Sequence, residues 1–215
     1  MRIKYLGHAS FLITSDSGIR IITDPYKPGC FDGGISYEPI TEEADIVTIS
    51  HEHDDHNCTD IEGKPTFIRG AGKKQAGGIE ITGTATYHDE SNGAERGKNT
   101  IYKMHVDGMN LVHLGDLGHP LSDEDVKNIG PVDIVFVPIG GYFTIDAKIA
   151  EKVVDMLKPK IVIPMHFKTD KCGFPIATAE AYTKNKKVQA VDGEFEISKS
   201  RLPEETTTYL LTPTK

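Results

Sequence analysis

His51-Glu52-His53-Asp54-Asp55-His56 places three imidazoles and three carboxylates in six consecutive residues, directly after the apolar run Asp45-Ile46-Val47-Thr48-Ile49-Ser50. Neutral imidazole solvates a loop poorly, and the cluster abuts a segment that reads as a buried strand, so these side chains are expected to hold metal. The spacing is H-x-H-x-D-H. Alternate residues of an extended strand end face one way, so His51 and His53 can reach one ion while Asp55 and His56, past a turn, reach another.

The 215 residues fit one domain spanning positions 1–215, long enough to bury a substantial core. Hydrophobic residues make up 38% of the chain, with no apolar run near the roughly 18 residues of a membrane span. The opening Met1-Arg2-Ile3-Lys4-Tyr5 breaks its hydrophobicity too early for a secretory signal, so a cytoplasmic protein with no membrane partner is expected. Three scattered cysteines (Cys30, Cys58, Cys172) without a C-x-x-C pattern argue for reduced thiols, although Cys58 follows the cluster closely enough to touch it. A formal net charge of −8 weighs against nucleic acid. Bound divalent ions would still present local positive charge to an anionic small-molecule substrate. Self-association into a homo-oligomer stays open.

Strand patterns cover residues 3–6, 10–14, 19–23, 46–50, 66–69, 79–87, 100–106 and 109–114, and later 160–163, 187–191, 195–197 and 207–211. Ser122-Asp123-Glu124-Asp125 reads as a capped helix start with Val126 and Ile129 facing inward. A second helix over 146–157 sets Ile149, Val153, Met156 and Leu157 at helical spacing and stops before Lys158-Pro159. The stretch from Gly18 to Asp24, followed by 45–51, echoes the stretch from Gly108 to Asp116, followed by Asp133-Ile134-Val135-Phe136-Val137-Pro138. Each reads as a hairpin, an acid, then a buried strand. Two similar halves with facing sheets, helices outside and a site along the shared edge would explain the echo, as would chance.

A two-ion site needs ligands from beyond one loop. His88, Asp116 and His166 each follow a strand-like run, where α/β architectures present their chemistry. In this order, Asp24, His51-x-His53-x-Asp55-His56, His88, Asp116 and His166 resemble the five-motif signature of the metallo-β-lactamase-fold hydrolases across nearly the whole chain. Gly7-His8-Ala9-Ser10-Phe11, Ile22-Thr23-Asp24-Pro25, His113-Leu114-Gly115-Asp116 and Pro138-Ile139-Gly140-Gly141 further resemble the branch containing L-ascorbate-6-phosphate lactonase. The resemblance implies an α/β fold, a four-layer αββα sandwich, and a metal-dependent hydrolase with two divalent ions. By position it implies His51, His53 and His88 on one ion, Asp55, His56 and His166 on the other, and Asp116 bridging. Zinc leads, with manganese or iron also suited to the mixed N/O set. Flavo-diiron oxygen reductases of the same fold typically carry Glu where this chain has His53, which favours hydrolysis over redox chemistry.

The expected reaction is attack by a metal-activated hydroxide, held between ions about 3.5–4 Å apart, on a small ester, lactone or phosphate-bearing metabolite. A phosphodiesterase or nuclease of the same fold, and a metal-binding protein without catalysis, are the alternatives. Asp55 would ligate and steer the nucleophile. Asp24 would fix a ligand imidazole from outside the ligand set, or serve as a turn residue before Pro25. His8 suits leaving-group protonation, substrate contact or a structural role; Tyr142 could offer a hydroxyl near the metals or pack in the core. Arg96 and Lys98 could hold a substrate anion or simply solvate a turn, and His119 could line the cavity. His105 and His113 read as structural.

Overall fold

In the first half of the chain, strand residues alternate between two apolar surfaces. Tyr5, Phe11, Ile13, Ile21 and Ile46 enter the main core, while Leu6, Ile22, Val47 and Ile49 enter a smaller one. This period-two pattern requires a sheet covered on both faces. The computed structural model describes all residues, 1–215. It shows β1 (Arg2–Gly7), β2 (Ser10–Thr14), β3 (Arg20–Thr23), a turn α1 (Cys30–Gly33), β4 (Ile46–Ile49) and β5 (Thr66–Arg69). There follow β6 (Gly72–Ala76), β7 (Ile79–Tyr87), β8 (Lys98–Val106), β9 (Met109–His113), α2 (Asp123–Ile129), β10 (Ile134–Pro138) and α3 (Ala147–Leu157). The chain closes with β11 (Ile161–Met165), α4 (Glu180–Thr183), β12 (Val188–Val191), β13 (Glu194–Glu196) and β14 (Thr207–Leu211).

The strands form a six-stranded sheet, ordered β13-β1-β2-β3-β4-β5, and an eight-stranded sheet, ordered β12-β14-β11-β10-β9-β8-β7-β6. A core of 42 buried residues lies between them and continues beneath α2 and α3. The layer order is that of the αββα sandwich, with few helices. Over the six-stranded sheet, the irregular segment 25–44 replaces a helix and supplies Tyr26, Ile35, Tyr37 and Ile40 to the smaller core. Helix α3 starts at Asp146, whose carboxylate accepts Ile149 N–H at 2.8 Å, and ends at Lys158 in the left-handed region before Pro159. Its buried face is Ala150, Val153, Val154 and Leu157. Met156, expected to point inward, lies off that stripe and is only partly buried. No helix is long and apolar enough to cross a membrane.

The echo between the halves is a repeated hydrogen-bonding pattern. β2 and β3 form an antiparallel hairpin followed by parallel β4 and β5; β8 and β9 do the same, followed by β10 and β11. At the entry to β4, the Asp45 carboxylate accepts Arg20 N–H at 2.8 Å, and its carbonyl accepts Thr66 N–H at 2.9 Å. At the entry to β10, the Asp133 carboxylate accepts Asn110 N–H at 2.7 Å, and its carbonyl accepts Ile161 N–H at 2.9 Å. Each aspartate therefore clamps three strand starts. The register also corrects the expected alignment of the two acids: Asp24 N–H donates to Thr48 and Leu114 N–H to Phe136, so Asp24 corresponds to Leu114 and not to Asp116.

The clamp yields a stability prediction. The Arg20 guanidinium, hydrogen-bonded to Asp45, holds that carboxyl below its ordinary range. A depressed carboxylate contributes stability above its unfolded pKa and loses it as pH falls through the folded value. Asp45→Asn should therefore lower the unfolding free energy by about 1 kcal/mol at neutral pH. The difference from wild type should shrink as urea titrations move below about pH 4.

Candidate metal centre

The ligand-bearing segments leave the same edge of the two sheets: the 51–56 turn after β4, His88 after β7, Asp116 after β9 and His166 after β11. β4 ends at Ile49, so the first cluster is not a strand end as expected. It is a turn, closed by His56 N–H donating to His53 C=O at 2.9 Å, and this fold of the backbone aims the imidazoles.

A fully buried carboxylate sets their orientation. Asp24 Oδ1 accepts Ser50 N–H at 2.8 Å, and Asp24 Oδ2 accepts both the Ser50 hydroxyl and His56 Nδ1–H, the latter at 3.0 Å. Because the single Ser50 hydroxyl proton goes to the carboxylate, Ser50 Oγ accepts from His51 Nδ1–H, 2.9 Å away. Both rings are thereby fixed by Nδ1, turning Nε2 inward. Asn99 performs a similar office for the third strand end. Its Nδ2 donates to Thr86 Oγ1 and Leu114 C=O, each at 2.9 Å, and its Oδ1 accepts Asp116 N–H at 3.0 Å.

Asp116 is the hub. Its Oδ2 lies 3.1 Å from His88 Nε2, 3.2 Å from His56 Nε2, 3.3 Å from His166 Nε2 and 3.8 Å from His51 Nε2. Two sets of donor atoms each converge within 4.8 Å: His51, His53 and His88 in one, His8, Asp55, His56 and His166 in the other. His51 Nε2 and Asp116 Oδ1 are buried and make no hydrogen bond, a costly state that a cation would relieve. Nitrogen and carboxylate donors in this arrangement fit a divalent transition metal.

Electrostatics prepare the donors unequally. Burial, with His56 alongside, lowers His51 to about 3, and burial beside His166 lowers His8 to about 4; both rings are neutral at physiological pH. Burial opposes charge on His56 as well, but Asp116 and Asp55 outweigh it and keep the ring protonated well above the usual imidazole range. Burial likewise works against the Asp55 and Asp116 charges, yet the surrounding histidines hold both carboxyls well below their ordinary value.

All seven residues expected as ligands meet here. They floor a cavity of about 220 Å³ through His53, Asp55, His88, Asp116 and His166, while Phe31, Phe143, Phe174 and Arg96 form its walls. His8 reaches the centre from behind: fully buried, its Nε2 lies 3.0 Å from Asp55 Oδ2, and it does not face the cavity. Three expected residues stand outside the lining. Tyr142 is 67% exposed, Lys98 is exposed at the start of β8, and His119 accepts Tyr87 N–H at 3.3 Å on the far side of the 116–120 loop. Sequence reasoning missed Ser50, Asn99 and the three phenylalanines. It also missed Asp89, whose carboxylate collects the N–H groups of Ser91, Gly93, Glu95 and Arg96 and thereby shapes the loop that presents Arg96. Its signal was an acid followed by Ser91 and Gly93, an Asx-turn pattern.

A family model described as the beta-lactamase superfamily domain matches residues 2–166. The chain is 31% identical over 209 residues to a UPF0173 metal-dependent hydrolase of Carboxydothermus hydrogenoformans, covering 84% of this chain and 88% of that protein. With its counterpart in Thermococcus onnurineus, identity is 30% over 196 residues, covering 79% and 85%. A crystal structure from Thermotoga maritima, assigned to the Zn-dependent hydrolases of the metallo-β-lactamase superfamily, superposes with a TM-score of 0.80 at 31% identity. That match covers 98% of this chain and 99% of the other. On this evidence, joined to the converging histidines and aspartates, the chain belongs to the UPF0173 metal-dependent hydrolases of the metallo-β-lactamase superfamily.

Proposed function

We propose that this hydrolase is one domain with a two-metal centre, zinc first among the candidates, acting on a small anionic ester, lactone or phosphate-bearing metabolite. The observation that carries the reading is the pair of donor sets flanking Asp116, whose Oδ1 is buried without a partner. His51, His53 and His88 would hold one ion; Asp55, His56 and His166 the other; Asp116 lies between the sets. When bound, such ions would supply Lewis acidity toward the substrate oxygen and would lower the pKa of a water toward neutrality.

The remaining steps fall to the chain's own groups. Asp55 directs a carboxylate oxygen at the cavity and is steadied from behind by His8, whose burial suits it to positioning rather than to protonating a leaving group in the open cavity. Arg96, the one cation in the lining, is placed to pair with a carboxylate or phosphate on the substrate. The resemblance of Gly7-His8-Ala9-Ser10 and His113-Leu114-Gly115-Asp116 to the ascorbate-6-phosphate lactonase branch supports a lactone or phosphate-bearing substrate. The cavity holds roughly seven waters' worth of space, which favours a small molecule over a nucleic-acid strand, as does the net charge of −8.

Reconstituted protein should bind two divalent ions per chain by elemental analysis, with His166→Ala binding one; a wild-type stoichiometry of one would end the two-metal reading. In a screen of lactones, carboxylic esters and phosphodiesters, turnover of phosphodiesters alone would promote the phosphodiesterase alternative.

Asp55→Ala should abolish turnover of the best substrate, while His8→Ala, which removes only the support, should lower it about 10- to 100-fold. Near-wild-type activity of Asp55→Ala with full metal would contradict its assignment.

His56 carries a proton that metal must displace, so loading at neutral pH should release protons and the apparent affinity should weaken as pH falls. Calorimetry in buffers of different ionisation enthalpy measures that release; none at pH 7 would contradict the reading of His56.

A further inference from the structure

One wall of the cavity is aromatic, with Phe174 edge-on to His8 at 5.7 Å beside the donor cluster, and its construction is unusual for a surface loop. Phe31 is 54% exposed and sits at φ 53°, followed by Asp32 at the same φ. A bulky side chain in the left-handed region is strained, and exposing its ring forgoes burial as well, so neither folding preference explains the residue. Tyr142, at φ 64° and 67% exposed, repeats the pattern on the neighbouring rim, packed edge-on to Phe143 with ring centroids 4.7 Å apart. Such outliers gather at ligand sites, where they hold groups in fixed positions.

The wall is also braced. Gly173 N–H donates to Gly34 C=O at 2.7 Å, and Ile35 pairs with Cys172 in an isolated bridge, tying the Phe31 turn to the loop that carries Phe174. Gly34 fits only because it lacks a side chain: a Cβ there would lie 2.8 Å from the Phe174 ring. Phe174 then meets Phe31 at 5.7 Å and Phe143 at 5.4 Å, both edge to face, leaving a continuous aromatic surface. Arg96 lies at the end of that surface, its Cζ 5.8 Å from the Phe143 ring centre.

We infer that the substrate carries a planar apolar group, an aryl or cyclic acyl moiety, beside its scissile bond, and that Phe31, Phe143 and Phe174 form the berth for it. This rests on the cavity being the active site proposed above. An anionic group paired with Arg96 places the adjoining part of the molecule against Phe143, in the same cavity that the candidate metal ligands line. The substrate is thus an amphipathic small acid ester or lactone rather than a purely polar sugar derivative.

Phenylphosphonate and methylphosphonate share one anionic head and differ by the ring. With metal-replete protein, calorimetry should give a phenylphosphonate Kd at least tenfold below that of methylphosphonate. Phe31→Ala, which removes an exposed ring and no core, should narrow the ratio to about threefold, and Phe31→Ala with Phe174→Ala should abolish it. Methylphosphonate affinity should stay within twofold in both variants, and Phe174→Tyr, which keeps the ring, should retain the preference. Equal wild-type affinities, no binding of either ligand, or parallel losses on both would overturn the berth. The hydrolytic reading fails on turnover and metal stoichiometry, the berth on this affinity ratio, so the two failures are separable.

Discussion

The centre depends on one buried charge. Asp24 has no solvent contact, and its burial opposes ionisation; only the hydrogen bonds from Ser50 and His56 and the neighbouring imidazoles repay that cost. Because the carboxylate occupies the Nδ1 side of His56 directly and of His51 through Ser50, the rings have one orientation each. The hydrogen bonds thus give each donor a fixed direction, and the scaffold itself gathers the groups that a cation would use.

The repeated β-hairpin and parallel-strand unit gives the second constraint. Each half alone supplies an incomplete ligand set: His51 to His56 come from the six-stranded side, and His88, Asp116 and His166 from the eight-stranded side. An ion held by side chains from both sides would therefore tie the two sheets together at their shared edge. The aromatic wall is built the same way, with Phe31 from the first half and Phe143 and Phe174 from the second.

Much of this was legible in the chain because strand alternation, helix caps and ligand spacing are local signals. The Ser122 cap and the helix beginning at Asp146 stand where the pattern puts them. Strand β6, Gly72-Lys73-Lys74-Gln75-Ala76, was not legible, since an edge strand held only by β7 needs no apolar alternation and uses lysine to discourage further pairing. Pro164 hid the end of β11. The strand continues through it because the Met165 carbonyl faces β10, leaving Pro164 facing the side where pairing with β14 has ended at Val162. Tertiary partners such as Asn99 with Asp116, or Phe31 with Phe174, carry no local signal. They become visible only once the loops meet.

Strand β13 carries a consequence for synthesis. It completes the six-stranded sheet by pairing with β1, and the contact between Arg2 and Glu194 spans 192 positions of sequence. A ribosome adding about 5–20 residues per second needs roughly 10–40 s to cover that distance. Through that interval the outer edge of β1 has no partner, in a nascent chain whose other strands are still emerging. Arg2 and Lys4, flanking Ile3 on that edge, are the charges that make an unpaired strand a poor template for a neighbouring nascent chain. In the finished enzyme the same two side chains pair with acids, Arg2 with Glu194 and Lys4 with Glu42, so the charges suited to an unpaired edge also serve the closed sheet.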